Sequence, residues 1–260
     1  MSVVIAAYNS ARTIGEALAS LQTQTFPDWE AIVVDDNSND GTVDLVRTFL
    51  DDERIRLIEL SQNGGSGRAR NIAVQSATAP LIMILDADDV CVPNRVEVQL
   101  HAFRSDVELD VLGGQVAEFG EWGGPVVGGW PSSTVDIQSR IRREKMPVAH
   151  CAMMIKRTTF LSGGGYDEEC KRAQDYALLR KLRAAKFAAL DQVVVHYRTT
   201  RPITLKYVIM NGRYTKLAKI RTRLRSPRTT ATVATFPASA ATDLRSMVTW
   251  ARRRIRERNF

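Results

Sequence analysis

Leu81-Ile82-Met83-Ile84-Leu85-Asp86-Ala87-Asp88-Asp89 is an apolar run that ends in three carboxylates within four residues. The run has the length and composition of a buried strand. Like charges gathered at its end resist desolvation and repel one another unless a cation or ligand offsets them. Side chains of an extended segment alternate, so Asp86 and Asp88 share a face and offer two hard oxygen donors suited to Mn²⁺ or Mg²⁺. A solvated turn or a helix cap is the alternative reading of the same residues.

Upstream, the same grammar repeats. Val3–Ala7 is a short β-branched run, and Ile14, Ala17, Leu18 and Leu21 then recur at helical spacing until Pro27. Glu30–Val34 reads as a strand, Asp35-Asp36-Asn37-Ser38-Asn39-Asp40-Gly41 as a turn, and Val43, Val46, Phe49 and Leu50 as a helix. A third strand near Arg54–Leu60 leads through Ser61–Gly67 into a helix carrying Ala69, Ile72, Ala73 and Ala77. Such alternation predicts an α/β fold with a mostly parallel, Rossmann-like sheet flanked by helices. Tyr8-Asn9, Asp35-Asp36, Asn63–Gly67 and Asp86–Asp89 then all fall at carboxyl ends of parallel strands, the edge where open α/β sheets bind ligands.

Further on, Val96, Leu100 and Phe103 mark a helix, and glycine-rich Gly113–Gly129 reads as irregular structure or a mobile flap. Val148–Ile155 reads as a buried strand, Gly163-Gly164-Gly165-Tyr166-Asp167 as a loop, Gln174–Lys186 as a helix and Ala188–Tyr197 as a strand. A basic helix is expected from Ile203 to Arg225, broken by Ser226-Pro227. In the final segment Leu244, Met247, Val248, Ala251 and Ile255 form an apolar stripe among arginines, fit either to lie on a membrane or to dock on the protein.

The 260 residues, 44% hydrophobic, suffice for one large domain. Residues 1–200 hold 21 Lys and Arg against 27 Asp and Glu, whereas residues 201–260 hold 15 against 2. The basicity therefore belongs to an extension, 201–260, beyond a main domain of residues 1–200. Its Arg252–Arg258 cluster suits either an anionic membrane surface or plain solvent; aromatic residues near it are few, so nucleic acid is not an expected partner. Three scattered cysteines, Cys91, Cys151 and Cys170, make no disulfide framework, and Val3–Ala7 is too short for a signal peptide, so a cytoplasmic location is expected, peripheral to the inner membrane face. No glycine fingerprint of a dinucleotide-binding dehydrogenase follows the first strand.

Taken in order, Ser2–Asn9, Val34–Thr42, Asn63-Gly64-Gly65 with Ala69-Arg70-Asn71, and Leu85–Asp89 resemble the family 2 glycosyltransferases of the GT-A fold; the likeness resumes at Gly164–Glu168, Gln174-Asp175-Tyr176 and Tyr197-Arg198. The resemblance implies an inverting transferase that uses a UDP-, GDP- or dTDP-sugar donor and a glycan or lipid-linked acceptor. By that likeness Ala7, Tyr8 and Asn9 hold base and ribose, and Asp36 accepts from the base, with Asp35 as its alternate. Arg70 meets the phosphates, Asp86 lies near the ribose, Asp88 takes the metal and Asp89 supports it. Asp175 is the base for the acceptor hydroxyl; the family commonly has Glu-Asp there, and this chain has Gln174-Asp175. The family's Tyr-Arg-x-His is replaced by Tyr197-Arg198-Thr199-Thr200, which leaves His196 as a metal candidate or a packed residue and His150 as an acceptor contact. The rival functions are a sugar nucleotidyltransferase and a nucleic-acid-binding module that uses the basic tail.

Overall fold

The computed structural model describes residues 1–224, 243 and 246–251. The expected break at Ser226-Pro227, the arginine cluster Arg252–Arg258, and Leu244 and Ile255 of the apolar stripe lie outside the described residues.

Strand β1 (Ser2–Ala7) sits between β2 (Glu30–Asp35) and β4 (Leu81–Ile84), parallel to both, and β2 pairs in parallel with β3 (Ile55–Glu59). Burial on both faces explains why these strands read as unbroken apolar runs. Val3 and Ile5 join one core layer with Ile14, Leu18 and Leu21 of α1 (Ile14–Gln22) and Val46 of α2 (Thr42–Arg47). Val4 points to the other layer, with Ala69 and Ala73 of α3 (Ser66–Ser76). The strand order β3-β2-β1-β4 therefore reverses direction at β1, with α1 and α3 on opposite faces, and a crevice opens between the carboxyl ends of β1 and β4.

Beyond β4 the sheet becomes mixed. It continues through antiparallel β8 (Met154–Lys156) to β6 (Val111–Gly120), which pairs in parallel with β9 (Phe187–Arg198), and it ends at β5 (Val90–Cys91). The further α-helices are α4 (Arg95–Ser105), α5 (Thr134–Arg142), α6 (Arg157–Ser162), α7 (Gln174–Lys181) and α8 (Leu205–Leu224).

Gly113–Gly129 is not an irregular flap. It forms most of β6 and its antiparallel partner β7 (Gly123–Val127). A Cβ on Gly113 would lie 2.6 Å from Val148, and one on Gly114 2.7 Å from Val194, so these glycines mark close packing within a sheet. Val148–Ile155 is likewise not one strand: His150–Ala152 makes a 3₁₀ turn before β8. Its residues face both core layers, and a buried apolar run of that length carries no periodicity from which to tell the two apart. Helix α7 ends at Lys181, five residues earlier than the periodicity implies, because the following residues turn the chain into β9.

At the amino edge of the sheet, Glu30 is a structural acid. Burial opposes its charge, but bonds from the Ser2 and Thr78 hydroxyls, the Thr78 amide and Arg56 outweigh that and hold its pKa down at about 2. The 163–168 loop is fixed by Asn71 of α3, which accepts from the Tyr166 amide (2.9 Å) and donates to the Tyr166 carbonyl (3.1 Å) and Glu168 (2.9 Å). Gly165 there has φ +57°, and an added Cβ would lie 2.6 Å from Asn71 Oδ1. Gly165→Ala is predicted to destabilise the fold by about 2 kcal/mol through left-handed strain and the disturbed Asn71 bonds, read as a lowered midpoint in denaturant unfolding.

Candidate active site

The crevice at the β1/β4 reversal gathers four segments. After β1, Tyr8 exposes half its surface, and Asn9 adopts a left-handed conformation that lets its amide donate to Ser38 (2.9 Å) while its side chain accepts from Asn39 (3.0 Å). Ala7 is buried, and its carbonyl accepts from the Asp36 amide at 2.8 Å, joining the ends of β1 and β2.

Asp35 and Asp36 are both buried, and they do different things. Asp35 turns back to the Ser38 amide and hydroxyl, closing its own turn. Asp36 reaches across to the loop before α3, where its two oxygens accept from the Gly64 (2.8 Å) and Gly65 (2.7 Å) amides. Gly65 has φ +89°, a conformation that favours glycine. Each Asp36 oxygen keeps a second lone pair for another donor.

Arg70, one turn into α3, donates to Asp86 Oδ1 at 2.6 Å, with the two side chains only 12% and 21% exposed. Burial opposes the charge on Asp86, and Arg70, then His150, overcome it and keep the carboxyl below its usual range. The Arg70 Nε is buried without a protein partner, and its guanidinium lies 5.7 Å from the Tyr166 ring. Arg70 was expected at the donor phosphates; its inner side is bonded to Asp86.

Asp88 is exposed as a residue and takes no bond from another side chain among those described. Its carboxyl nevertheless lies in the mouth of the crevice, where desolvation and then Asp86 push its pKa up. Asp89 turns inward and is fully buried; burial, then Asp86 and Asp88, raise its pKa to about 9. One Asp89 oxygen accepts from the Arg198 amide (2.9 Å), and the Arg198 side chain donates to the Asp88 carbonyl (2.9 Å) and pairs with Glu16. The end of β9 thus staples the acidic turn to α1.

Opposite Arg70, the half-buried His150 has its Nε2 2.7 Å from the hydroxyl of the buried Tyr166, and the two rings meet edge to face. Burial, then Arg70, lowers the His150 pKa; Asp86 and Asp175 pull the other way. Asp175, in the first turn of α7, is partly exposed and accepts from the Tyr176 amide at 2.7 Å. Its charge acts on Arg70, His150 and Tyr166, so it belongs to the same cluster. Gln174 is buried and accepts from Ser66 at 3.0 Å, docking α7 on the start of α3.

His196 is on the end of β9, two residues before Arg198. It packs edge-on to Phe119 at 6.2 Å, while Tyr197, on the other face of β9, shares the field of Asp86 and Asp89. Tyr166, Asn71 and Arg198 are the residues whose roles sequence reasoning missed. Each stood inside a quoted motif, but its partner lies far along the chain.

A divalent ion fits this donor set. No group of three His, Cys, Asp or Glu side chains gathers into a metal cage among the described residues. One open carboxylate, Asp88, is an oxygen donor of the type a hard divalent cation takes when its other ligands come from outside the protein.

Residues 2–162 match the model of the family described as Glycosyl transferase family 2. An uncharacterized glycosyltransferase of Methanocaldococcus jannaschii is 32% identical over 205 residues, covering 76% of this chain and 70% of that protein. The UDP-Glc:alpha-D-GlcNAc-diphosphoundecaprenol beta-1,3-glucosyltransferase WfgD of Escherichia coli is 36% identical over 100 residues, covering 38% of this chain and 39% of WfgD. Among solved structures, Staphylococcus aureus TarS 1–349 in complex with UDP-GlcNAc matches with a TM-score of 0.65 at 23% identity, over 84% of this chain and 65% of that one. The mannosyltransferase PcManGT from Pyrobaculum calidifontis, in complex with GDP-Man and Mn²⁺, matches with a TM-score of 0.66 at 20% identity, over 96% and 72%. These two likenesses establish the GT-A fold. The family match contains the rim from Tyr8 to His150 and covers more than half of the sequence; the chain belongs to glycosyl transferase family 2.

Proposed function

We propose that the chain is an inverting, metal-dependent glycosyltransferase that moves a sugar from a nucleotide-diphosphate donor to an acceptor hydroxyl in the assembly of cell-surface glycan or glycolipid. The observation that carries this reading is Asp88, an open carboxylate at the mouth of the crevice, set beside the neutralised Arg70–Asp86 pair with Asp175 in the same cluster. WfgD is named as using UDP-Glc and a diphosphate-linked lipid acceptor, and PcManGT holds GDP-Man with Mn²⁺. These names support a nucleotide-sugar donor and a divalent ion.

In this reading the exposed Tyr8 ring offers a flat surface to the base, and Ala7 and Asn9 shape the backbone around it. Asp36 receives a base N–H on its free lone pairs while it keeps the Gly64-Gly65 loop in place. Asp86, oriented by Arg70, faces the ribose, and the unpartnered Arg70 Nε serves the phosphates. Asp88 would hold the Mn²⁺ or Mg²⁺ ion, with Asp89 supporting the turn behind it, and that ion supplies charge neutralisation to the departing nucleoside diphosphate. Asp175 takes the proton of the acceptor hydroxyl as its oxygen attacks the anomeric carbon and the bond to the diphosphate breaks. His150 and Tyr166 form the wall beside Asp175 and touch the acceptor.

Residues 1–200 form the catalytic domain in this proposal and 201–260 a basic extension. Helix α8 packs on α7 through Tyr214 and Ala218, and Arg221 pairs with Asp167 at 2.7 Å. Among the described residues no helix is long and apolar enough to cross a membrane. The extension is proposed to hold the enzyme at the cytoplasmic, anionic membrane face. Sedimentation with vesicles is predicted to pull down the protein with anionic but not with neutral lipid, and equal partition would refute this location.

Asp88→Asn is predicted to abolish transfer and to remove the Mn²⁺-dependent part of nucleoside diphosphate binding, measured by calorimetry with and without the ion. Asp175→Asn is predicted to leave that binding intact and to lower turnover by at least 100-fold. Turnover near that of the native chain in the second variant would assign the base elsewhere.

A further inference from the structure

Arg95, the first residue of α4, is fully buried and makes no ion pair among the described residues. The acceptors of its side chain are neutral. Nη2 donates to the Ile84 carbonyl (2.9 Å), Nε to Gln99 Oε1 (3.1 Å) and Nη1 to Cys91 Sγ (3.5 Å). A cation taken out of water without a counter-ion is costly, and the amino end of a helix adds its own positive field. Three neutral acceptors satisfy hydrogen bonds and leave the charge uncancelled.

The offset lies beyond contact distance, in the acidic turn. Ile84 stands two residues before Asp86, and the Arg95 charge acts on Asp86 and Asp89 as well as on the thiols of Cys91 and Cys151. Two other arginines reach this turn, and each is held by a carboxylate: Arg70 by Asp86 and Arg198 by Glu16. Of the three, only Arg95 keeps its whole charge for the field. Helix α4 packs through Val96 and Leu100 into the core layer of Val3 and Ile5, and α3 packs through Ala69 and Ala73 into the other layer. Arg70 and Arg95 therefore meet the end of β4 from opposite faces of the sheet.

An unpaired cation fixed behind carboxylates acts in opposite directions on the two halves of a metal nucleotide. It repels a bare divalent ion and attracts a diphosphate. Salt screens the field of a buried charge far less than that of a surface one, so the bias persists in solution. The bond to the Ile84 carbonyl is one that any N–H donor of suitable length could make. What the guanidinium adds over a neutral donor is its charge.

We propose that Arg95 is a positioning residue for the donor: its buried charge biases the acidic turn against a divalent ion on its own and toward one that arrives on a nucleoside diphosphate. The inference rests on the transferase reading above, in which Asp88 takes the ion. It adds a residue of the core, behind the turn, that sets the condition under which the ion is accepted.

The experiment compares the full chain with Arg95→Met, which removes the charge and keeps an unbranched side chain, and with Arg95→Lys, which keeps the charge and loses the fork. Mn²⁺ binding without nucleotide is read by electron paramagnetic resonance, and UDP and GDP binding in the presence of EDTA by calorimetry. Arg95→Met is expected to tighten Mn²⁺ and to weaken the nucleotide, each by about threefold or more, while Arg95→Lys stays within about threefold of the native chain for both. Opposite signs are the mark of charge: loss of a residue that only cements α4 to β4 would weaken both ligands together. Any other pattern in Arg95→Met, including a fall in both affinities, overturns the proposal. Should Arg95→Met not fold, Arg95→Lys decides alone, since native-like binding of both ligands upholds a role for the charge and a larger departure in either overturns it. A native chain that binds neither Mn²⁺ nor nucleotide counts against the transferase reading itself, whereas native binding with shifts of one sign in Arg95→Met sinks this inference alone.

Discussion

The ion pair between Arg70 and Asp86 is the contact on which the rest of the site depends. Strand β4 ends in three carboxylates, and two of them, Asp86 and Asp89, turn inward. The fold tolerates this in two ways. Arg70 cancels the charge of Asp86 at 2.6 Å, and Asp89, with its pKa raised to about 9, holds its proton at neutral pH. Removing one partner of a buried pair leaves a bare charge and costs on the order of 3–5 kcal/mol, so the pair also locks α3 against the end of β4. Asp36 grips the same helix from the other side through the Gly64 and Gly65 amides. Small residues, Ala69 and Ala73, let α3 lie close enough to the sheet for both grips to close.

Against this background the openness of Asp88 has meaning. Glu30, at the opposite edge of the sheet, shows what a purely structural acid looks like here: four hydroxyl, amide or guanidinium donors and a strongly lowered pKa. Asp35, Asp36, Asp86 and Asp89 each have a partner in the fold. Asp88 has none from another side chain among the described residues and sits at the mouth of the crevice, held there by Arg198 on its backbone carbonyl. Its placement is maintained by the fold, and the proposed function gives its carboxylate a ligand.

The parallel half of the sheet was legible because strands buried on both faces write their burial into unbroken apolar runs, and the turns between them carry Asp, Asn and Gly. The acidic rim followed from position alone, since every cluster fell at a carboxyl end. The second half was harder. Gly113 and Gly114 looked like a loop because a glycine that makes room for Val148 or Val194 reads the same as one that permits a turn. Val148–Ile155 concealed a 3₁₀ turn because both core layers claim its residues. The partners of Asn71, Tyr166 and Arg198 lie 95 residues away for Asn71 with Tyr166, and 109 for Arg198 with Asp89. No local pattern encodes such pairings, although the glycine run 163–165 did mark where Asn71 needs close backbone approach.

The account stands on a carboxylate kept open for a cation that arrives with a nucleoside diphosphate. Titration of Mn²⁺ into the protein, followed by electron paramagnetic resonance of the free ion, tests this most directly. Weak binding to the protein alone, tightening at least tenfold when UDP or GDP is present, is the predicted result. Mn²⁺ affinity that neither nucleotide changes would contradict it.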